Sequence, residues 1–356
     1  MHRLILFAAL ILAVGMSDAI EWSAEAQAAE PGISMGETTA ARWTFEDAQQ
    51  LAAKGRLDQA LNVLNQLAAQ TPVPAGVERL RAMIYYQQEK LQQAADGFAR
   101  AIAQDAGDRE SREMEGVVLY RMGHADQALP YLEKANTSVE HTNVEPQYAL
   151  GLCYLSLKRL DDARHAFAAQ YGFAGDSAEA YLLAGRLFLR HEYSDEAAMQ
   201  ARKALALNPA LPRAHQLLGE IALSRDNIPT AIQEFDAERK INPLDGEVYD
   251  RLGDAYMRAG QYANAQQALN RAVLLEPTAT GPYILLGQTL LKQNQPVQAL
   301  QYLARAEKMD PSNSITHNLL GQAYKATGQV DAANREFRLV VEIQHPDEAN
   351  QTQRQQ

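Results

Sequence analysis

Residues 246–279 read GEVYDRLGDAYMRAGQYANAQQALNRAVLLEPTA, and this stretch decides the fold. Tyr249, Leu252, Gly253 and Tyr256 fall at i, i+3, i+4 and i+7, which is one face of an α-helix. Gly260 follows, a residue suited to a left-handed C-cap. Ala265, Ala268, Leu269 and Ala272 then return to helical spacing. Glu276-Pro277 ends the second helix, because proline carries no N–H and restricts the residue before it. The unit is two antiparallel helices joined by a tight turn.

The same unit recurs on either side. A small residue keeps a constant beat at Ala48, Ala82, Gly116, Gly151, Gly185, Gly219, Gly253, Gly287 and Gly321, every step being 34 residues except the 35 from Gly116 to Gly151. An alanine keeps the same beat from Ala60 through Ala163 and Ala265 to Ala333. Nine units start near Ala41, Ala75, Arg109, Val144, Ala178, Pro212, Gly246, Thr280 and Ser314. A close contact repeated at one period is the mark of a stack of supersecondary units, each burying its apolar face on the next. The turns fit. Gly55, Gly123, Gly260 and Gly328 occupy one slot, and Asp58, Asp126, Asp161, Asp195 and Asp331 follow three residues later, where a side chain is expected to accept from the first N–H groups of the second helix. Pro130 and Pro229 are expected in the first turn of that helix, where a missing N–H is tolerated.

The unit resembles the tetratricopeptide repeat: Tyr249, Leu252, Gly253, Tyr256, Ala265, Leu269, Ala272 and Pro277 match its aromatic, Leu-Gly, Tyr, Ala, bulky, Ala and Pro positions in order. The next unit matches with Tyr283, Leu286, Gly287, Leu290, Ala299, Leu303, Ala306 and Pro311. The previous one has His215 in the aromatic slot. Units two to four lack the closing proline, and Gln170 and Glu238 stand where alanine is preferred. The resemblance implies an all-α, right-handed superhelical solenoid of about nine helix-turn-helix repeats. It also implies a concave groove, lined by the first helices, that receives a protein or peptide partner. Its groove-facing slots hold Glu179, Arg186 and Arg190, then Arg213, Gln216 and Glu220, then Glu247, Asp250, Asp254 and Arg258. Further on they hold Gln288 and Lys292, then Asn318, Gln322 and Lys325. Earlier units place Tyr86, Arg121, Tyr148 and Leu155 there. The lining lacks the Lys/Asn/Arg set with which family members clamp a peptide carboxylate. Glu247, Asp250 and Asp254 put three carboxylates on one helix face. Arg186 and Arg190 put two guanidinium groups two units away, so an extended ligand is expected to meet opposite charges at the two places.

Other function classes find little support. The formal net charge is −11, which argues against phosphate backbones as partner, and no nucleic acid is expected. There is no H-E-x-x-H, G-x-S-x-G, P-loop or cysteine pair, and the repeats consume the chain, so no catalytic residue, cofactor or metal site is expected. The single cysteine, Cys153, reads as a small buried hydrophobe.

The ends differ from the array, which spans residues 41–346. Met1-His2-Arg3 followed by an apolar run from Leu4 to Met16 reads as a signal peptide within residues 1–28, cleaved after Ala19 or Ala28. Residues 29–40 read as a flexible lead-in, Asn136–Asn143 as a polar seam carrying the one-residue insertion, and 347–356 as a polar tail. The mature chain is expected to carry no transmembrane segment and to be periplasmic or secreted. A non-catalytic binding scaffold of the cell envelope is the expectation; a scaffold for polysaccharide export or cell-wall assembly is the alternative.

Overall fold

The computed structural model describes residues 43–135 and 145–345. The leader, the lead-in, the seam at 136–143 and the tail lie outside the described residues. The described chain is helical throughout, with eighteen helices in nine hairpins. Repeat 1 holds α1 (Phe45–Ala53) and α2 (Leu57–Ala68), repeat 2 holds α3 (Val77–Gln87) and α4 (Leu91–Gln104), and repeat 3 holds α5 (Arg109–Arg121) and α6 (Ala125–Ala135). Repeat 4 holds α7 (Glu145–Ser156) and α8 (Leu160–Gln170), repeat 5 holds α9 (Ala178–Arg190) and α10 (Ser194–Leu207), and repeat 6 holds α11 (Ala214–Ser224) and α12 (Ile228–Ile241). Repeat 7 holds α13 (Gly246–Arg258) and α14 (Tyr262–Leu275), repeat 8 holds α15 (Thr280–Lys292) and α16 (Pro296–Met309), and repeat 9 holds α17 (Ser314–Ala326) and α18 (Val330–Gln344). The chain is therefore an α-solenoid, in the register expected from the small-residue beat. Among the described residues no helix is long and apolar enough to cross a membrane.

Each hairpin closes on one contact. A Cβ placed on Gly253 would lie 2.5 Å from Leu269 Cγ, and one on Gly287 would lie 2.5 Å from Leu303. Gly151 faces Phe167 at 2.4 Å, Gly219 faces Phe235 at 2.6 Å, and Gly321 faces Phe337 at 2.5 Å in the same way. The glycine is thus the floor on which the bulky residue of the second helix sits. Repeat 5 departs, because the residue sixteen positions after Gly185 is Ala201; Leu217 of the next repeat fills the gap, its Cδ2 at 2.9 Å from a Cβ placed on Gly185. Phe98, Phe167, Phe188 and Phe235 have no exposed surface.

The turn inside each hairpin needs a left-handed residue. Gly55, Gly123, Gly260 and Gly328 supply it, and Glu89, Lys158, Glu192, Asp226 and Asn294 take the same conformation with φ between 55° and 67°. All nine hairpins therefore turn alike, five of them against the ordinary preference of their residue.

The capping expectation is corrected in part. The second helices α2, α8, α10 and α18 begin without a side-chain cap, so Asp58, Asp161, Asp195 and Asp331 do not cap them. These aspartates lie inside the first turn, past the capping position, where they favour the positive end of the helix dipole. Asp58 instead accepts from Gln88 at 3.2 Å and Asp195 pairs with Arg225 at 2.7 Å. Side-chain caps sit mainly on first helices: Thr44, Asp108, Ser177, Asp245 and Asn313. Pro229 lies in the first turn of α12 as expected, but Pro130 falls inside α6, because that helix already starts at Ala125.

Glu238 explains its own departure from alanine. It is 0% exposed and accepts from the backbone N–H of Arg213 at 2.6 Å and of Gln216 at 3.3 Å. Arg213, in a left-handed conformation, gives α11 no side-chain cap. The carboxylate of the second helix therefore caps the first helix of its own repeat.

Gly253→Leu is expected to lower stability by about 1–3 kcal/mol, since Leu269 has nowhere to move. Coupling runs between neighbours, so hydrogen exchange should show protection falling most in repeats 6 to 8. Unchanged protection there would contradict the hairpin contact.

Candidate functional site

First and second helices differ in how they meet their counterparts. Several successive first helices touch, among them α9 with α11, α13 with α15 and α15 with α17, whereas second helices of successive repeats make at most marginal contact. The stack therefore curves locally toward the first helices, and their exposed faces form the candidate groove.

That row is polar but largely self-paired in its middle. Arg186 Nη1 lies 2.6 Å from Glu220 Oε2, one repeat on, and its other nitrogen donates to the Arg213 carbonyl at 3.4 Å. The expectation that Arg186 presents a charge to a ligand is thus corrected: its guanidinium ties repeat 5 to repeat 6. Gln216 is 1% exposed and donates to Glu220 at 2.9 Å, so it belongs to the interface and not to the open lining. Leu155 is buried as well. A signal for the Arg186–Glu220 pair was present in the sequence, as opposite charges 34 residues apart in one slot of adjacent repeats. Arg190, Lys292, Asn318, Gln322 and Lys325 are exposed, and Glu179 and Gln288 are half-buried. Among the earlier aromatics, Tyr86 lies under the Arg121 guanidinium at 4.9 Å, and Tyr148 meets His191 Nε2 at 3.3 Å.

Repeat 7 is where carboxylates gather. Glu247, Asp250 and Asp254 share one face of α13 as expected, and Glu276 from the end of α14 joins them electrostatically, a member that sequence spacing did not reveal. Glu247 sits 3.7 Å from Arg251, and Asp254 is held by Arg258 at 3.0 Å. Asp250 has no such support. Its Oδ1 is buried with no hydrogen-bond partner. Its Oδ2 lies 3.8 Å from where Gly281 of the next repeat would carry a Cβ. Burial pushes the Asp250 carboxyl up to about 6, and Asp254, Glu276 and Glu247 add to the rise while Arg251 opposes it.

His215 and His317 are used in packing. His215 Nδ1 meets Glu234 at 2.7 Å and His317 Nδ1 meets Glu336 at 2.7 Å, the same pair in two repeats. Glu307, His317 and Glu336 bring their ligand atoms within 4.8 Å of one another. His317 Nε2 also lies 2.8 Å from the Pro311 carbonyl, so both ring nitrogens face acceptors, which suits an imidazolium and not a metal ligand. Cys153 is buried, and burial pushes its thiol up to about 12, leaving it a packing residue as expected.

A curved stack of helix hairpins with an open polar face defines an α-solenoid of the binding-surface kind. Models of the tetratricopeptide repeat match residues 45–109, 113–180 and 182–245, and a second such model matches 256–314 and 290–353. The chain belongs to the tetratricopeptide repeat family. No curated protein matches it. Among solved structures it is similar to MamA of Desulfovibrio magneticus RS-1, at 22% identity and a TM-score of 0.46, covering 48% of this chain and 97% of that one. It is similar to YrrB, described as a TPR protein with an unusual peptide-binding site, at 21% identity and a TM-score of 0.46, covering 52% and 94%. PilF of Pseudomonas aeruginosa stands at 19% identity and 0.46, covering 60% and 97%. Likenesses this distant carry no argument about function.

Asp250→Asn is expected to stabilise the protein at neutral pH. The folded-state value of about 6 exceeds the ordinary aspartate value of 3.8, so the folded chain holds the extra proton between the two. Stability therefore declines as pH rises from about 4 to about 6, and the penalty is complete above that range. The variant should gain roughly 1–2 kcal/mol at pH 7.5, allowing for solvent screening, and nothing near pH 4. Urea midpoints at the two pH values test this; an equal gain at both would show that charge is not the cause.

Proposed function

We propose that the protein is a non-catalytic scaffold of the cell envelope that holds a protein or peptide segment along its first helices. A basic residue of the segment would sit at the carboxylates of repeat 7. The observation that carries the reading is Asp250. A carboxylate with an unpartnered buried oxygen, beside three other acidic groups and a glycine of the next repeat, is short of a cation and of donors. A lysine or arginine from a partner, placed beside the four carboxylates, supplies the cation. Such charges would set orientation and on-rate more than total affinity. Arg186 offers no site for an acidic part of the segment, because Glu220 already occupies that guanidinium. The envelope assignment rests on the Arg3 start, the apolar run and the small residues before Ile20 and Ala29.

Capture from envelope extract, followed by titration of the captured partner, tests the reading. Asp250→Asn with Asp254→Asn should weaken binding about tenfold and flatten its salt dependence without loss of helicity. Lowering the pH from 7.5 to 5 should weaken binding of the unmutated protein, because Asp250 becomes neutral. The protein recovered from the periplasmic fraction should begin at Ile20 or Ala29. Unchanged affinity and salt slope in the double variant would remove repeat 7 from the mechanism, and a retained Met1 would overturn the export.

A further inference from the structure

We propose that the cleft between α12 and α14, on the opposite side of repeat 7 from the carboxylates, is a second docking site. Its occupant is an aromatic side chain flanked by carboxylates, from a protein partner. The cleft has a volume of about 570 Å³. Tyr249, Leu252, Tyr256 and Ala268 line it, with Arg239 and Arg271 among its polar residues.

The other repeats show why the cleft is open and what fits it. In repeats 6, 8 and 9 the aromatic slot of the first helix faces the residue nineteen positions on, in the second helix. In repeat 8 that pair is Tyr283 with Tyr302, ring centroids 6.5 Å apart. In repeats 6 and 9 it is His215 with Glu234 and His317 with Glu336, each at 2.7 Å. In repeat 7 it is Tyr249 with Ala268, so a methyl stands where its neighbour carries a phenol. The Tyr249 ring is nevertheless held as Tyr283 is. Its hydroxyl donates to the Pro243 carbonyl at 3.2 Å, and Tyr283 donates to that of Pro277 at 3.3 Å. The site is thus an aromatic pair lacking one ring, already arranged. An incoming ring gains apolar burial and an aromatic contact without rearranging the protein.

Charge names the flanking residues. Arg239 and Lys240 share one carboxylate, Asp236, at 2.6 and 3.7 Å. Arg271 is half-buried and, among the described residues, makes no ion pair. Two guanidinium groups, Arg239 and Arg271, therefore line the cleft with no carboxylate among its lining residues, in a chain whose formal net charge is −11. Guanidinium groups recognise carboxylates by paired, charge-assisted hydrogen bonds. A neutral aromatic segment would leave Arg271 unanswered, and a basic one would be repelled.

The test uses the full mature chain and fluorescently labelled, end-blocked peptides of sequence EEYEE, with QQYQQ and EEAEE as controls. Anisotropy titrations should show saturable binding of EEYEE and at least about tenfold weaker binding of each control. Ala268→Tyr, which supplies the missing ring from within, should abolish binding while the thermal melt stays at or above that of the unmutated protein. Arg271→Gln should weaken it about tenfold and reduce its salt dependence. Asp250→Asn with Asp254→Asn should leave it unchanged, which separates this site from the first-helix row. If Ala268→Tyr lowers the melt, Arg271→Gln decides alone. No saturable binding of EEYEE, equal binding of QQYQQ, indifference to Arg271→Gln, or displacement by chitotetraose with no peptide preference would each overturn the proposal. The last would mark a glycan site instead.

Discussion

Eight of the nine described hairpins depend on one steric fit, the seat of a bulky second-helix residue on a small first-helix residue sixteen positions earlier. Gly116 with Leu132, Gly151 with Phe167, Gly219 with Phe235, Gly253 with Leu269, Gly287 with Leu303 and Gly321 with Phe337 repeat it. The same spacing joins Ala48 to Leu64 and Ala82 to Phe98, all four without exposed surface. Packed cores tolerate little change in volume, so this fit sets how closely two helices approach. Because it is shared by eight of the nine repeats, successive hairpins stack on nearly the same geometry. Where it fails, at Gly185 with Ala201 sixteen positions on, the next repeat repairs it with Leu217.

A fit satisfied by apolar side chains leaves the polar residues to differ from repeat to repeat, and this is where function enters. Some polar groups became structural. Glu238 caps α11, and the Arg186–Glu220 pair joins two repeats. Others were left unanswered. Among the described residues, Asp250 carries a buried oxygen without a partner on the first-helix side, and Arg271 carries a cation without an ion pair beside a vacant ring position on the other. Both lie in repeat 7, on opposite faces. One hairpin thereby carries both an acidic and a basic group left without a counter-charge, the two points proposed for recognition, which a solenoid permits because each repeat is buttressed by its neighbours and not by its own polar groups.

The helices, their pairing and the repeat starts were legible because period and small residues report backbone proximity directly. The left-handed turn was legible at Gly260 but hidden at Glu89, Lys158 and Asp226, where only repeat counting identifies it. Candidate groove residues were half legible. Spacing placed Glu247, Asp250 and Asp254 on one face, but it said nothing of Glu276, which arrives from another helix. Spacing also mistook Gln216 for open lining, since a slot in a helix does not tell whether the next repeat covers it. The vacancy above Tyr249 lay in the sequence as an alanine at residue 268, against glutamate or tyrosine in the matching slots of repeats 6, 8 and 9, yet it acquires meaning only once those slots are known to face each other.

A double-mutant cycle on Gly287 and Leu303 tests the central contact most directly. Gly287→Ala should destabilise the protein because its Cβ meets Leu303 at 2.5 Å. The same change should be nearly harmless where Leu303 is already alanine, giving a coupling of about 1 kcal/mol or more in urea unfolding. Additive effects of the two substitutions would contradict the account, because the glycine would then be serving something other than the seat of its partner.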